Sequence, residues 1–492
     1  MQSGRRRHLE YLIEHKVRPG ARRRPRLLAA GVEPILPPEF NWRDYAIHLL
    51  HVAAEIEHSL MVQYLFAAYS MGGPQAPARL QTKVRRWQQI ILGIAKEEMG
   101  HLMTVQNVLI GMGGPIHFER QEYPWESEFY PFQFSLKPLT LGSVAEYVLA
   151  ESEIDWNGEL TSEIKDLANL SAQETVNHVG VLYKEIQDIL ARPERSDARP
   201  RIEESTFQPQ TLPLQASWDT WGRGYVRGQR GQEAGGLPGE EDEKLSPELL
   251  LNRVVSRDSA LFALRQVAQQ GEALPGQAGE ESHFERFLTV YTEIKRLSKD
   301  DQTLISRPVA HNPVTQKALK GWKGQGQPRL ENSYIENEVS RSWGHLFNLR
   351  YRMLLVNLAH SMHPIAPRLD QVPVVDRGIV INRTFAEMYN LRIIANEMLE
   401  LPMRPGDPEP VAGPPFELPY TLDMPTRESN RWRLQLDLLE AAQRAIAALQ
   451  TEASPSGQRF LDGLRCTDEA ASDRIRRMLA GEEVFTLDER PA

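Results

Sequence analysis

The residues of this sequence best suited to chemistry are carboxylates and imidazoles that interrupt apolar runs at helical spacing. Steps of three and four give Ile47, Leu50, Ala54, Glu57, Met61, Tyr64 and Ala68, which share one helix face. Glu57 sits mid-run, where leucine would be the cheap choice. A buried carboxylate without a partner is costly, so this position calls for a cation or a donor beside it. A second run, Trp87, Ile91, Ile94, Glu98, His101, Val105, Val108 and Met112, puts Glu98 and His101 at consecutive inward positions. Glu97, one residue earlier, points elsewhere. A third run, Glu280, His283, Phe287, Val290, Ile294 and Leu297, opens on another Glu-x-x-His pair. Glu272 lies just before it, at the end of a run through Leu261, Leu264 and Ala268. Oxygen and imidazole donors select iron, manganese or zinc. Four carboxylates can neutralise two divalent ions and shift between terminal and bridging modes. Two imidazoles complete the sites and leave positions open for dioxygen or substrate.

Other residues compete for these roles. Val144, Val148 and Glu151 form a shorter run, with Glu174 and His178 following at i and i+4. Glu151 is thus an alternative to Glu272 and Glu280. Glu57 lies about 14 residues from its helix end, roughly 20 Å at 1.5 Å per residue. Glu272 and Glu280 flank a Leu274-Pro275-Gly276 turn, which would have to approach the middle of the first two helices. His48, His51 and His58 share the first helix, and of these His58 adjoins the inward face. His345, His360 and His363 lack carboxylates at ligand spacing and read as structural. Tyr64 and Tyr183 read as packing beside the centre. No nucleotide-binding loop, nucleophilic serine elbow or reactive-cysteine context is present.

The elements that must position these residues are helices. Spacing and punctuation predict helices from Trp42 to Met71, with Asn41 as N-cap, and from Leu80 to Met112; both stop at Gly-Gly-Pro. Further helices are expected at about 140–168 and 172–191, from Ser246 to Glu272, Glu280 to Leu297, Tyr334 to His360 and Asn382 to Glu400, and last from Arg431 to Glu452. An aromatic loop fills about 116–138, and a Pro-, Gly- and charge-rich excursion fills about 192–245. Pro402–Pro425 reads as extended, and nothing alternates over strand lengths. The fold class is therefore all-α. One Glu from each of two helices and one Glu-x-x-His from each of two others is the inventory of ferritin-like di-iron bundles. We expect a basic N-terminal tail over 1–40 and a ferritin-like four-helix bundle over 41–300, with inserted helices at about 116–250. A mainly helical C-terminal extension over 301–492 is expected to pack on that bundle.

Bulk composition narrows the partners. A net charge of -9 over 492 residues argues against nucleic acid, and no apolar run reaches membrane-span length. The single cysteine, Cys466, excludes an intramolecular disulfide and any thiolate cluster. No apolar segment accompanies Arg5, Arg6 and Arg7, so the cytoplasm is the expected compartment. The arginine-rich tail reads as solvated, or as an arm on a partner subunit of a homo-oligomer.

Longer motifs add a resemblance. Ala54-Glu55-Ile56-Glu57 with Tyr64-Leu65 and Tyr69-Ser70 is one such piece, and Glu97-Glu98-Met99-Gly100-His101-Leu102 with Asn107-Val108-Leu109 is another. Together they resemble the bacterial ferritin-like domain family, which includes the corresponding domain of the violacein-pathway iminophenylpyruvate dimer synthase. Gly180 with Tyr183 and Ile186, Gln270-Gly271-Glu272, Ser282-His283-Phe284 with Phe287, and Ala412-Gly413-Pro414-Pro415-Phe416-Glu417 extend the resemblance over about 42–420. The resemblance implies a metal-containing bundle. It favours Glu57, Glu98, His101, Glu272 and His283 as ligands and leaves Glu280 and Glu151 open. The expected function is a non-haem oxidase or oxygenase of secondary metabolism. It would hold two irons, or manganese, and use dioxygen on an amino-acid-derived or aromatic small molecule. The aromatic loop near Tyr123–Phe134 and the glycine-rich excursion would line or cover the pocket. The alternatives are a coupling enzyme like the dimer synthase, or a non-enzymatic iron-binding or structural bundle.

Overall fold

Asn41 caps the first long helix as its position predicts: its side-chain oxygen accepts from the Asp44 backbone N–H at 2.9 Å. The computed structural model describes residues 34–123, 132–153, 155–172, 176, 178–191, 199–217, 251–271, 281–317, 333–363, 368–369, 372–373, 377–418 and 423–482. The arginine-rich 1–33, the glycine-rich 218–250 and residues 124–131 of the aromatic loop lie outside them. Helix α1 runs Trp42–Ser70 and α2 runs Gln81–Gly111. Gly72, Gly73 and Gly113 end these helices at positive φ, where a Cβ would clash with the backbone. Every residue from Val52 to Tyr64 on α1, and from Glu98 to Gly111 on α2, is buried. A helix walled in on all sides in this way shields a carboxylate from bulk water.

Helix α3, Leu141–Ala150, starts at a capping box of Thr140 with Ser143. The single helix expected over about 140–168 breaks after Ala150, and α4 begins anew as Thr161–Ala172. Ser152 turns its hydroxyl back to the Leu149 carbonyl at 2.9 Å. The Asp155-Trp156-Asn157-Gly158 stretch that follows favours turns over helix. The break makes Glu151 the C-cap of α3. Helix α5 is Gly180–Leu190, α6 is Arg257–Gly271, α7 is His283–Lys295 and α8 is Lys299–Leu304. A capping box of Ser282 with Glu285 makes His283 the first residue of α7. Helix α1 packs against α2 and α5, α3 against α4 and α7, α5 against α6, and α2 against α6 and α7.

Two compact units divide the chain, the first ending at Arg307 and the second comprising the described residues from Pro308 onward. The second unit contains α9 (Glu338–Ser361), α10 (Arg377–Met398), α11 (Glu428–Leu449) and α12 (Pro455–Leu479). Helix α9 packs on α10 and α11, and α11 on α12. The sequence reading stopped at α11 and missed α12. Three two-stranded pieces complete this unit: β1 (Pro313–Val314) with β2 (Ser333–Tyr334), β3 (Arg368–Leu369) with β4 (Val372–Pro373), and β5 (Pro402–Arg404) with β6 (Asp407–Val411). The last is a hairpin inside the segment expected to be extended. Among the described residues no helix is long and apolar enough to cross a membrane.

Candidate metal centre

Glu98 lies in the fully buried part of α2, and its two carboxylate oxygens face two imidazoles. Oε2 lies 3.0 Å from Nδ1 of His101, one turn further along the same helix. Oε1 lies 3.0 Å from Nδ1 of His283, at the start of α7. The two rings stack 5.2 Å apart with 29° between their planes. Each imidazole also meets a carboxylate of its own. Nδ1 of His101 lies 3.3 Å from Oε2 of Glu57, from the middle of α1. Nδ1 of His283 lies 3.9 Å from Oε2 of Glu151, at the end of α3. The arrangement is two half-sites, Glu57 with His101 and Glu151 with His283, on either side of one shared carboxylate.

The outward atoms of these groups are held in turn. The Tyr183 hydroxyl of α5 donates to Oε1 of Glu57, and the Tyr64 hydroxyl of α1 donates to Oε1 of Glu151 at 2.5 Å. Both tyrosines therefore leave Oε2 turned toward the imidazoles. Nε2 of His101 donates to Oε1 of Gln270 at 2.8 Å, and Nε2 of His283 donates to Oε2 of Glu97 at 2.8 Å. These bonds hold Nε2 protonated and turn Nδ1 to the centre, where it carries a proton in the metal-free protein and would offer its lone pair to a metal ion. Arg286, three residues after His283, seats Glu97 with contacts to both of its oxygens.

Burial pushes Glu57 up to about 8, helped by the neighbouring Glu98 charge. Burial and the same charge push Glu151 up to about 7. Burial alone would lower His283, but the Glu98 charge and the bond to Glu97 outweigh it and lift the group to about 9. His101 is likewise lifted well above its ordinary value, with Glu98 and Glu57 overcoming burial. Glu98 is held well below the usual carboxylate range, because the two imidazoles overcome its burial. Without metal, protons take the place of cations between the carboxylates.

A pH dependence follows for the metal-free protein. The four raised groups bind more protons folded than unfolded, because their unfolded values are near 4.3 for Glu and 6.5 for His. Their contribution to stability is present at lower pH and is lost as pH rises through about 7, 8 and 9 for Glu151, Glu57 and His283. The thermal midpoint of metal-free protein is expected to fall as pH rises from about 5 to about 9, and to fall less with metal bound. A midpoint that rises over that interval would contradict these charge assignments.

The donor set fits a pair of metal ions. Oε2 of Glu57, Oε1 of Glu98 and Nδ1 of His283 are buried and make no hydrogen bond. Buried polar atoms of that kind need a cation or a proton between them. Donor atoms of Glu98, His101 and His283 lie within 4.8 Å of one another. Three carboxylates and two imidazoles, each oriented from behind, would leave open coordination positions on hard or borderline ions. The cavity beside them, about 20 Å³, is lined by Glu57, Glu98, His101, Glu151, Leu60 and Tyr183 among others. It suits ion- or water-sized occupants and is far smaller than a pocket for an aromatic ring.

Five of the seven candidate ligands, Glu57, Glu98, His101, Glu151 and His283, come together here. Glu272 and Glu280 lie outside the described residues, as do Glu174 and the Leu274-Pro275-Gly276 turn. The flanks of that turn do reach the site, since Gln270 contacts His101 and Gly271 lines the cavity. A Cβ on Gly271 would stand 3.1 Å from Oε2 of Glu151, so glycine leaves that carboxylate its place. His178 instead bonds the Ser152 carbonyl at 2.8 Å, bracing the break after α3. Sequence reasoning missed Glu97, Gln270 and Arg286. The available signals were the adjacent Glu97-Glu98 pair and the arginine one helical turn after His283.

The all-α bundle agrees with the comparison of sequence families. Residues 50–292 match the Ferritin-like family, and the helical bundle of that span is ferritin-like. Two characterised relatives are similar at lower identity. Dichlorochromopyrrolate synthase of Lentzea aerocolonigenes is 26% identical over 361 residues, 66% of this chain and 32% of that protein. The 2-imino-3-(indol-3-yl)propanoate dimerase of Chromobacterium violaceum is 24% identical over 294 residues, 54% of this chain and 24% of that protein. The matched region thus spans a third or less of the length of these relatives. A crystal structure of a ferritin like protein from Caulobacter vibrioides aligns over 74% of this chain and 96% of its own, with 16% identity and a TM-score of 0.36.

Proposed function

We propose that the centre holds two iron ions, manganese being the other ion its donors suit. We propose further that the chain is an oxidoreductase of secondary metabolism, using dioxygen on an amino-acid-derived aromatic small molecule. One observation carries the reading: a single buried carboxylate, Glu98, faces two imidazoles, each with its own carboxylate. When bound, a metal pair supplies Lewis acidity, an open position for dioxygen and a sink for two electrons. The chain supplies the rest. Glu98 fixes the spacing of the two positions. Tyr183 and Tyr64 keep Glu57 and Glu151 turned inward, and Gln270 and Glu97 fix the imidazole tautomers. Leu60, Val179, Val267 and Ala268 line the cavity with apolar surface and limit water.

The substrate class comes from the relatives. One is named for an indole-bearing imino acid that it dimerises. Joining two C–H carbons into a C–C bond releases two electrons and two protons, a demand that a two-metal site with dioxygen can meet. A second reading is favoured by that same name: the bundle binds and couples imino acids without dioxygen. Iron-loaded protein incubated with an indole-bearing 2-imino acid, with and without dioxygen, separates the two by mass spectrometry of the products. Consumption that requires both iron and dioxygen is expected. Equal dimer formation without dioxygen would favour the second reading, and no consumption by loaded protein would remove this substrate class.

A further inference from the structure

The two half-sites match in their ligands and differ in what stands behind them. Each outer carboxylate is held by one tyrosine, so Glu57 and Glu151 do not distinguish the two positions by their supports. The imidazoles do. At the same distance of 2.8 Å, Nε2 of His283 donates to a carboxylate, Glu97, and Nε2 of His101 donates to a neutral amide, Gln270. An ionised acceptor makes the stronger bond and leaves its imidazole the more basic donor. Glu97 and Glu98 are neighbours on α2 and grip His283 at both ring nitrogens, at 2.8 and 3.0 Å. Arg286, on the same helix as His283, holds Glu97 in register.

The cavity does not separate the two positions, since Glu57, Glu98 and His101 line it and so does Glu151.

We infer that the two metal positions are unequal. The position between Glu98, Glu151 and His283 is the tighter one and fills first, made so by Glu97. The position between Glu57, Glu98 and His101, backed by the neutral Gln270, is the weaker one and fills second. Glu97 and Gln270 are positioning residues that set this order through the imidazoles. The inference rests on the metal-centre reading proposed above.

Titration of metal-free protein with cobalt(II), read by visible absorption and calorimetry, tests it without turnover. Two steps separated by about tenfold or more are expected. Glu97→Gln should weaken the first step by about 10–100-fold and leave the second nearly unchanged, so that the steps merge. Gln270→Glu should strengthen the second step and spare the first. Arg286→Gln frees the Glu97 charge and should not weaken the first step, whereas a merely structural role for the Glu97–Arg286 pair predicts a loss as large as that of Glu97→Gln. Melting curves of the metal-free variants accompany each titration, because a folding defect would weaken both steps together. Two equal steps in the unaltered protein would overturn the inference, as would a Glu97→Gln variant that loses both steps equally. Absence of cobalt uptake in well-folded protein would overturn the metal-centre reading itself, which is a different outcome from two equal steps.

Discussion

Glu98→Gln is expected to lose both metal ions at once. Glutamine preserves the volume and shape of the side chain, so the buried stretch of α2 keeps its packing and helix content is retained. The substitution removes the charge of the carboxylate that lies 3.0 Å from both imidazoles. Bound iron should fall from about two per chain to near zero, a larger loss than the about 10–100-fold affinity change typical of an outer partner. Glu57→Gln and Glu151→Gln each touch one half-site and should each remove about one ion while sparing the other. Metal analysis after gel filtration in iron-supplemented buffer checks all three. Full loading of Glu98→Gln would show that the two imidazoles do not share this carboxylate as a ligand.

The second large effect lies in the C-terminal unit. Arg350 on α9 is fully buried and forms a two-pronged pair with Asp468 on α12, and it also reaches Glu387 on α10 at 3.1 Å. Asp468 and Glu387 are buried too. Arg350→Ala would leave two buried carboxylates without the cation that bonds them, with only the charge of Arg383 nearby, and breaking a buried pair in this way costs about 3–5 kcal/mol. Calorimetric unfolding is expected to show a loss of that size. Replacing Arg350 and Asp468 together by leucine should cost far less, because Glu387 keeps its hydrogen bond from Asn390 and the charge of Arg383 nearby. A loss below about 1 kcal/mol for Arg350→Ala would mean that these charges are solvated in the folded protein.

Helix spacing made much of this readable from sequence. Glu57, Glu98 and His101 fall on inward faces because α1 and α2 are long and unbroken, and a period of 3.6 then fixes which residues face together. His283 was found through its apolar run, although α7 starts at His283 and not at Glu280. Glu151 was harder. Its place depends on the break after Ala150, which arises from local competition by Ser152, Asp155 and Asn157 for the backbone and has no periodic signature. Glu97 was set aside because it lies off the Glu98 face; its partner comes from α7, and helix periodicity does not report contacts between helices. Helix α12 was missed for a physical reason as well. Its buried seam runs Gly457, Leu461, Leu464, Asp468, Ser472, Ile475 and Met478. The polar residues at its centre, one of which pairs with Arg350, hide the apolar period that marks a helix.

The measurement that tests the dinuclear centre most directly is anomalous diffraction at the iron absorption edge from crystals of iron-loaded protein. Two anomalous peaks are predicted, one against Glu57, Glu98 and His101 and the other against Glu98, Glu151 and His283, with the Glu98 carboxylate between them. A crystal of fully folded, iron-exposed protein with no peak at either position would contradict the account, and the carboxylates and imidazoles would then stand as a proton-linked polar core.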